Sequence, residues 1–226
     1  MGTFRMPDSA MLNPNLTHAW INIPKNANSF CQKVFSDLGW KTCTQVDFSQ
    51  AIVNCRSIPK LVILRDPVQR WISGFAETFG YWNTDRKNEN NSCHFTDINL
   101  NEVNDLLTNS AFWEMVYLNP VFDVHTEFQH EFLNHAENVT YIKIDRNDAP
   151  NLFYKRLSNY LESIGEVSNF SNWTVATNTV DNNKDKHKIY QTIKDLMLEN
   201  SEIERRLRLV YKKDYWLFDR HKQFEV

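Results

Sequence analysis

Leu61-Val-Ile-Leu-Arg65-Asp-Pro67-Val-Gln-Arg70-Trp-Ile-Ser73-Gly-Phe75 begins as an apolar run, meets a cation, crosses a proline and continues with helical spacing. A short run that is apolar at every position is the pattern of a parallel strand buried on both faces, and Lys60–Leu64 is read as that strand. Pro67 suits the first turn of a helix, where its fixed φ is already right and its missing N–H is not needed. That helix is expected to reach about Phe79. A second stretch, Trp20-Ile-Asn-Ile-Pro24-Lys25-Asn26-Ala27-Asn28-Ser29-Phe30, repeats the plan. It predicts a strand at His18–Ile23, a polar turn, and a helix over Ser29–Leu38 ended by Gly39. A strand–turn–helix unit aims backbone N–H groups at whatever lies above the helix N-terminus, which makes it an anion site. Two such units, each with a cation followed by a hydroxyl, imply a ligand with two separate anionic groups and point towards a nucleotide.

Working outward, apolar and helical patterns alternate along the chain. A second short strand is expected at Cys43–Phe48, with a helical turn through Ala51–Val53. Helices are expected at Glu102–Leu107, Ala111–Leu118 and His125–Leu133, and a strand at Val139–Ile144. An amphipathic helix over Ala149–Ile164 has Leu152, Phe153, Leu157, Tyr160 and Leu161 on one face. Helices at Lys188–Glu199 and Ser201–Tyr211 lead to the aromatic tail Tyr215–Phe218. Residues 80–99 and 165–186 are polar and read as loops, the first as a lid over an acceptor. The expected fold class is α/β: a P-loop-like, three-layer domain with a short parallel sheet flanked by helices. Residues 1–17 form a loose lead-in, and 18–226 a single domain.

Bulk properties narrow the function. A net charge of -3 and a pI near 6.2 do not suit a general nucleic-acid binder, so phosphate binding must be local. Only 5 glycines argue against a Gly-rich dinucleotide fingerprint, and the first turn lacks the glycines of a triphosphate-binding P-loop. Cys31, Cys43, Cys55 and Cys93 fit neither zinc pairs nor a dense disulfide framework and are expected as free thiols. Met1–Thr17 holds no apolar segment of the signal-peptide kind, and no run approaches the ~18 residues of a membrane helix. A cytoplasmic chain is the expectation.

The two turns resemble those of the sulfotransferases that use 3′-phosphoadenosine 5′-phosphosulfate (PAPS). Pro24-Lys25 with Asn26–Ser29 is similar to their 5′-phosphosulfate loop, and Arg65-Asp-Pro-x-x-Arg70-x-x-Ser73 to their 3′-phosphate motif. The closest likeness is to the carbohydrate-modifying Golgi branch, with His125-x-x-x-Gln129, Lys143-x-Asp145 and Asp214-Tyr-Trp-Leu-Phe218 following in the same order. Those enzymes carry a membrane anchor and stem, and a form without them is the expectation here. The resemblance spans about residues 18–218. It implies transfer of a sulfuryl group from PAPS to a hydroxyl acceptor, a carbohydrate by preference, with no metal. The alternatives are a non-catalytic nucleotide- or glycan-binding protein on the same fold, or a P-loop-type kinase.

By that resemblance Lys25 is catalytic, stabilising charge on the bridging oxygen as the sulfuryl group leaves; the ordinary reading is a surface lysine. Pro24, Asn26, Ala27, Asn28, Ser29 and Phe30 complete the cofactor loop, mainly through backbone N–H groups, although Ser29 could be no more than a helix N-cap. Arg65 and Ser73 take the 3′-phosphate, unless Arg65 pairs with Asp66 or Asp145 as a structural ion pair. Arg70 either touches the nucleotide or braces the motif; Asp66 fixes the turn, and Trp71 is core. A general base must take the acceptor's proton, with His125 and Asp47 as candidates and Glu77 and His94 as further options. Lys184, Lys186 and Lys188 are either a solvated charge run or a basic loop closing on the cofactor.

Overall fold

In the computed structural model the structure describes residues 10–43, 58–81, 100–122, 124–133, 136–166, 184–221 and 224. The expected strand at Cys43–Phe48, Asp47, Glu166's successors to residue 183, and most of the 80–99 loop with His94 lie outside the described residues, apart from Cys43 and residues 80–81.

The strands are β1 (Met11–Leu12), β2 (Ala19–Ile21), β3 (Lys41–Thr42), β4 (Lys60–Arg65) and β5 (Val139–Ile144), in the sheet order β3-β1-β2-β4-β5. β4 is parallel to both neighbours, pairing Ile21 with Val62 on one side and Arg65 with Ile144 on the other. The sheet is mixed rather than purely parallel, because β1 runs antiparallel to β2 and to β3. The lead-in reading therefore needs correcting at residues 10–12: Ala10, Met11 and Leu12 are buried, and Met11–Leu12 is a sheet strand.

The helices among the described residues are α1 (Asn28–Asp37), α2 (Pro67–Tyr81), α3 (Leu100–Thr108), α4 (Ser110–Leu118), α5 (Pro150–Ser163), α6 (Lys184–Glu199), α7 (Ser201–Val210) and α8 (Lys212–Arg220). Gly39 supplies the left-handed residue after α1, with φ of 79°, where a side chain would be strained. The segment His125–Leu133 is not one helix. Only Gln129–Leu133 is helical, as a 3-10 turn, because the preceding carbonyls are engaged elsewhere. Lys184–Asp185–Lys186 belongs to α6 rather than to a loop, and the aromatic tail is helical in α8.

The chain forms two compact units. The first holds residues 1–66, 129–176 and 216–226, and the second 67–128 and 177–215. The first is the three-layer α/β unit that the apolar strands demand. On one face Trp20, Leu61, Ile63 and Ile142 pack with Cys31, Val34 and Phe35 of α1 and with Phe153, Leu157 and Leu161 of α5. On the other face Ile21, Val62, Leu64 and Tyr141 meet Leu217 and Phe218. Lys60 is buried at the start of β4, and its ammonium donates to the carbonyls of Ile58 (2.8 Å) and Glu137 (3.1 Å). The second unit is all-helical. Trp71, Ile72, Phe75 and Phe79 of α2 pack with α3, α4, α6 and α7 through Leu107, Phe112, Trp113, Ile193 and Leu207.

Candidate functional site

The first turn follows directly from where β2 stops. Ile21 is its last residue, and Asn26 N–H closes a tight bend on the carbonyl of Ile23 (3.2 Å). Lys25 and Ala27 both take left-handed backbone, with φ of 68° and 59°. Such angles cost a residue with a Cβ roughly 1–2 kcal/mol each, so the loop holds its shape only if its surroundings impose it. Ala27 is the N-cap of α1 and has no side chain with which to cap it; nor does an acidic residue sit in the first turn. The positive end of α1 therefore has neither a capping side chain at its own N-cap nor a carboxylate in its own first turn. Ser29 lies inside the helix and is exposed, so it is not the N-cap.

Asn26 was expected to contribute mainly backbone, but its side chain is the anchor of the turn. It is 1% exposed, and Nδ2 donates to the Ile63 carbonyl (2.7 Å) and to Gln129 Oε1 (2.7 Å). Arg65, the last residue of β4, is half-buried, and its guanidinium donates to the Lys25 carbonyl (3.2 Å). The two turns of the sequence reading are therefore in contact within the first unit: the cation of one holds the backbone of the other. Phe30, half-buried, meets Tyr154 edge-on with ring centroids 4.8 Å apart. Pro24 and Asn28 are half-buried. Behind the loop Cys31 is fully buried, and burial pushes its thiol far above the ordinary range. Cys31 is a free thiol. Asp66 is buried, with its N–H on the Ile144 carbonyl (3.1 Å).

The second unit carries the other candidates. Ser73 is half-buried on α2. The next residue, Gly74, is where the 124–128 segment packs on that helix: a Cβ at Gly74 would stand 2.3 Å from the His125 carbonyl oxygen. Arg70 is 1% exposed, and its guanidinium donates to the carbonyls of Glu127 and Val124. Thr126 is buried; its hydroxyl accepts from Phe122 N–H (2.7 Å), and its carbonyl accepts from the Tyr211 hydroxyl (2.6 Å). His125, half-buried, is held by this scaffold through its backbone. Trp71 is fully buried and donates to the Pro120 carbonyl (3.0 Å). Lys188 is exposed on α6, while Lys186 is placed on that helix only by its backbone.

A model of the sulfotransferase family, so described, matches residues 10–220. The chain belongs to the sulfotransferase family. Comparison with curated proteins and with solved structures gave no match. Family membership supports sulfuryl transfer as the general activity, and it covers every element that builds the two turns. Among the described residues no helix is long and apolar enough to cross a membrane, and no group of three or more His, Cys, Asp and Glu could hold a metal ion.

Sequence reading missed Gln129 in the first unit and Gly74 in the second. Gln129 stood in the His125-x-x-x-Gln129 pattern without a role, and Gly74 followed Ser73 unremarked. No local signal marked the first, since His130 and Glu131 beside it are polar as well. A glycine in the middle of a helical pattern was the signal for the second.

Proposed function

We propose that this sulfotransferase takes its sulfuryl group from PAPS and passes it to a hydroxyl acceptor, with a carbohydrate as the favoured class. The observation that supports this best is the contact between the two turns: the Arg65 guanidinium lies on the Lys25 carbonyl, in the turn that leads into the N-terminus of α1. Cations from both turns and a helix N-terminus are the donor set a nucleotide with a 5′-phosphosulfate and a 3′-phosphate requires. PAPS, when bound, supplies an activated sulfuryl group whose leaving group is a phosphate.

The chain's own residues then have distinct tasks. Lys25 and the α1 N–H groups offset negative charge on the leaving side, an effect that grows as water is excluded. Arg65, whose planar fork suits a terminal phosphate, holds the 3′-phosphate, with Ser73 assigned to the same group from the motif's spacing. Pro24, Asn28, Ser29 and Phe30 shape the loop around the 5′ end. Arg70 acts through the 124–128 segment by bracing its carbonyls, and Lys186 stands as a candidate further cation. His125 or Asp47 takes the proton from the acceptor hydroxyl.

Calorimetry with 3′-phosphoadenosine 5′-phosphate and turnover of radiolabelled PAPS against a panel of glycans and simple alcohols test the reading. Wild-type protein should bind the nucleotide tightly and transfer label. Arg65→Ala should weaken binding, and Lys25→Ala should abolish transfer while leaving most of the binding. Nucleotide affinity unmoved by Arg65→Ala would remove the phosphate assignment. Binding with no transfer to any acceptor would favour a binding protein on this fold.

A further inference from the structure

The parallel pairing leaves one edge of β4 without a strand partner just where the site begins. β2 ends opposite Val62, so its pairing stops short of the Ile63 carbonyl and of Arg65. On the other edge β5 continues, and Asp66 N–H goes to the Ile144 carbonyl. Backbone groups of alternate residues face the same edge, so the Ile63 carbonyl and both groups of Arg65 face the missing partner. Left unpaired in a buried setting, each would carry a desolvation cost.

Side-chain amides meet all three groups. Asn26 Nδ2 donates to the Ile63 carbonyl (2.7 Å). Gln129 then treats Arg65 as a neighbouring strand would: its Oε1 accepts from Arg65 N–H (3.1 Å), and its Nε2 donates to the Arg65 carbonyl (2.9 Å). The same Oε1 accepts from Asn26 Nδ2 (2.7 Å). One carboxamide, fully buried at 0% exposure, thus ties the end of β4 to the turn that carries Lys25. That turn contains the two left-handed residues and no glycine, so it is the part that most needs an external template.

We propose that Gln129 is the positioning residue of the site: it fixes the distance between the Lys25 turn and Arg65, and so sets the spacing at which two anionic groups of one ligand are held. The inference rests on the PAPS reading for the identity of that ligand. It requires both faces of the amide, a donor and an acceptor, in one orientation. Glutamic acid has that pair of functions only when protonated, since the carboxylate is acceptor-only.

The test uses the full chain with Gln129→Met and Gln129→Glu. Hydrogen exchange in ligand-free protein should speed up in peptides spanning 23–31 and 61–67 of Gln129→Met, with β5 unchanged. Affinity for 3′-phosphoadenosine 5′-phosphate should fall about tenfold or more, the factor that accompanies one lost net hydrogen bond, and KM for PAPS should rise with it. Gln129→Glu should be weak at about pH 8 and recover towards wild type by about pH 5.5, since a buried carboxyl protonates early. Gln129→Met should show no such recovery. A role in stability alone would lower the melting temperature with affinity, exchange in the two turns and pH profile all as in wild type, and would overturn the proposal. Should Gln129→Met fail to fold, the pH recovery of Gln129→Glu still decides. Wild-type protein that does not bind the nucleotide would overturn the PAPS reading; the exchange data then decide the clamp, upheld by acceleration in both turns and refuted without it.

Discussion

Replacing Gly74 by alanine sets two effects of opposite sign against each other. Gly74 lies inside α2, and a glycine in a helix interior is worse than alanine by about 1 kcal/mol, so propensity alone predicts stabilisation. Packing predicts the reverse. A Cβ there would sit 2.3 Å from the His125 carbonyl oxygen and 2.7 Å from its carbon, whereas ordinary contact begins at 3.4 Å. The 124–128 segment would have to retreat by about 1 Å, yet Arg70 and Tyr211 hold it by three of its carbonyls. Overpacking of this kind costs about 1–3 kcal/mol, and neighbours that are backbone atoms place it in the upper part of that range. The net expectation is a loss of about 1–2 kcal/mol, or a melting temperature lower by roughly 2–8 °C for a chain of this size. Circular dichroism on heating measures it, and turnover measured beside it shows whether displacing His125 slows transfer more than it weakens nucleotide binding. An unchanged or higher melting temperature would refute the reasoning, because propensity would then have outweighed the contact.

Ala27→Gly should raise stability by about 0.5–1 kcal/mol, since relieving the left-handed strain exceeds the extra chain entropy of glycine; urea midpoints check this. Arg70→Met should cost about 3 kcal/mol in the same assay by leaving the Val124 and Glu127 carbonyls without their charged donor. The fold should also lose stability above about pH 9. Burial raises the Cys31 thiol, so the unfolded chain gives up that proton first and binds fewer protons than the folded one, and stability falls with pH by up to about 1.4 kcal/mol per unit. Burial raises Tyr160 and Tyr211 as well, extending the loss above about pH 10. Cys31→Ala should flatten the first part of that decline in urea midpoints taken from pH 8 upward, and native Cys31 should resist alkylation.

The parallel part of the fold was legible because its signals are local and redundant. The apolar run at 60–65 followed by Pro67 gave β4 and α2, and the spacing at 149–164 gave α5. Two-residue strands such as Met11–Leu12 have no period to detect; their place is decided by a partner far along the chain. The helix expected at 125–133 failed because tertiary donors compete for its carbonyls: Arg70 takes those of Val124 and Glu127, and Tyr211 that of Thr126. The start of α6 was hidden by Lys184-Asp-Lys-His-Lys188, whose charges read as loop although an exposed helix end carries them equally well. In the site, Lys25 and Arg65 could be chosen from sequence because cations after buried strands are unusual. Gln129 and the side chain of Asn26 could not, since a carboxamide's partners depend on where β2 happens to end.

The Lys25–Ala27 turn reaches its bend with residues that have side chains where glycine would fit more easily. A glycine-rich loop is supple, and each ligand that enters must still its motion. Here the bend is imposed once, during folding, and the loop meets the ligand with little freedom left to surrender. Nucleotide binding should therefore show a small ordering entropy, and its affinity should depend more on the fit of the anion's spacing than on the temperature at which the loop is asked to close.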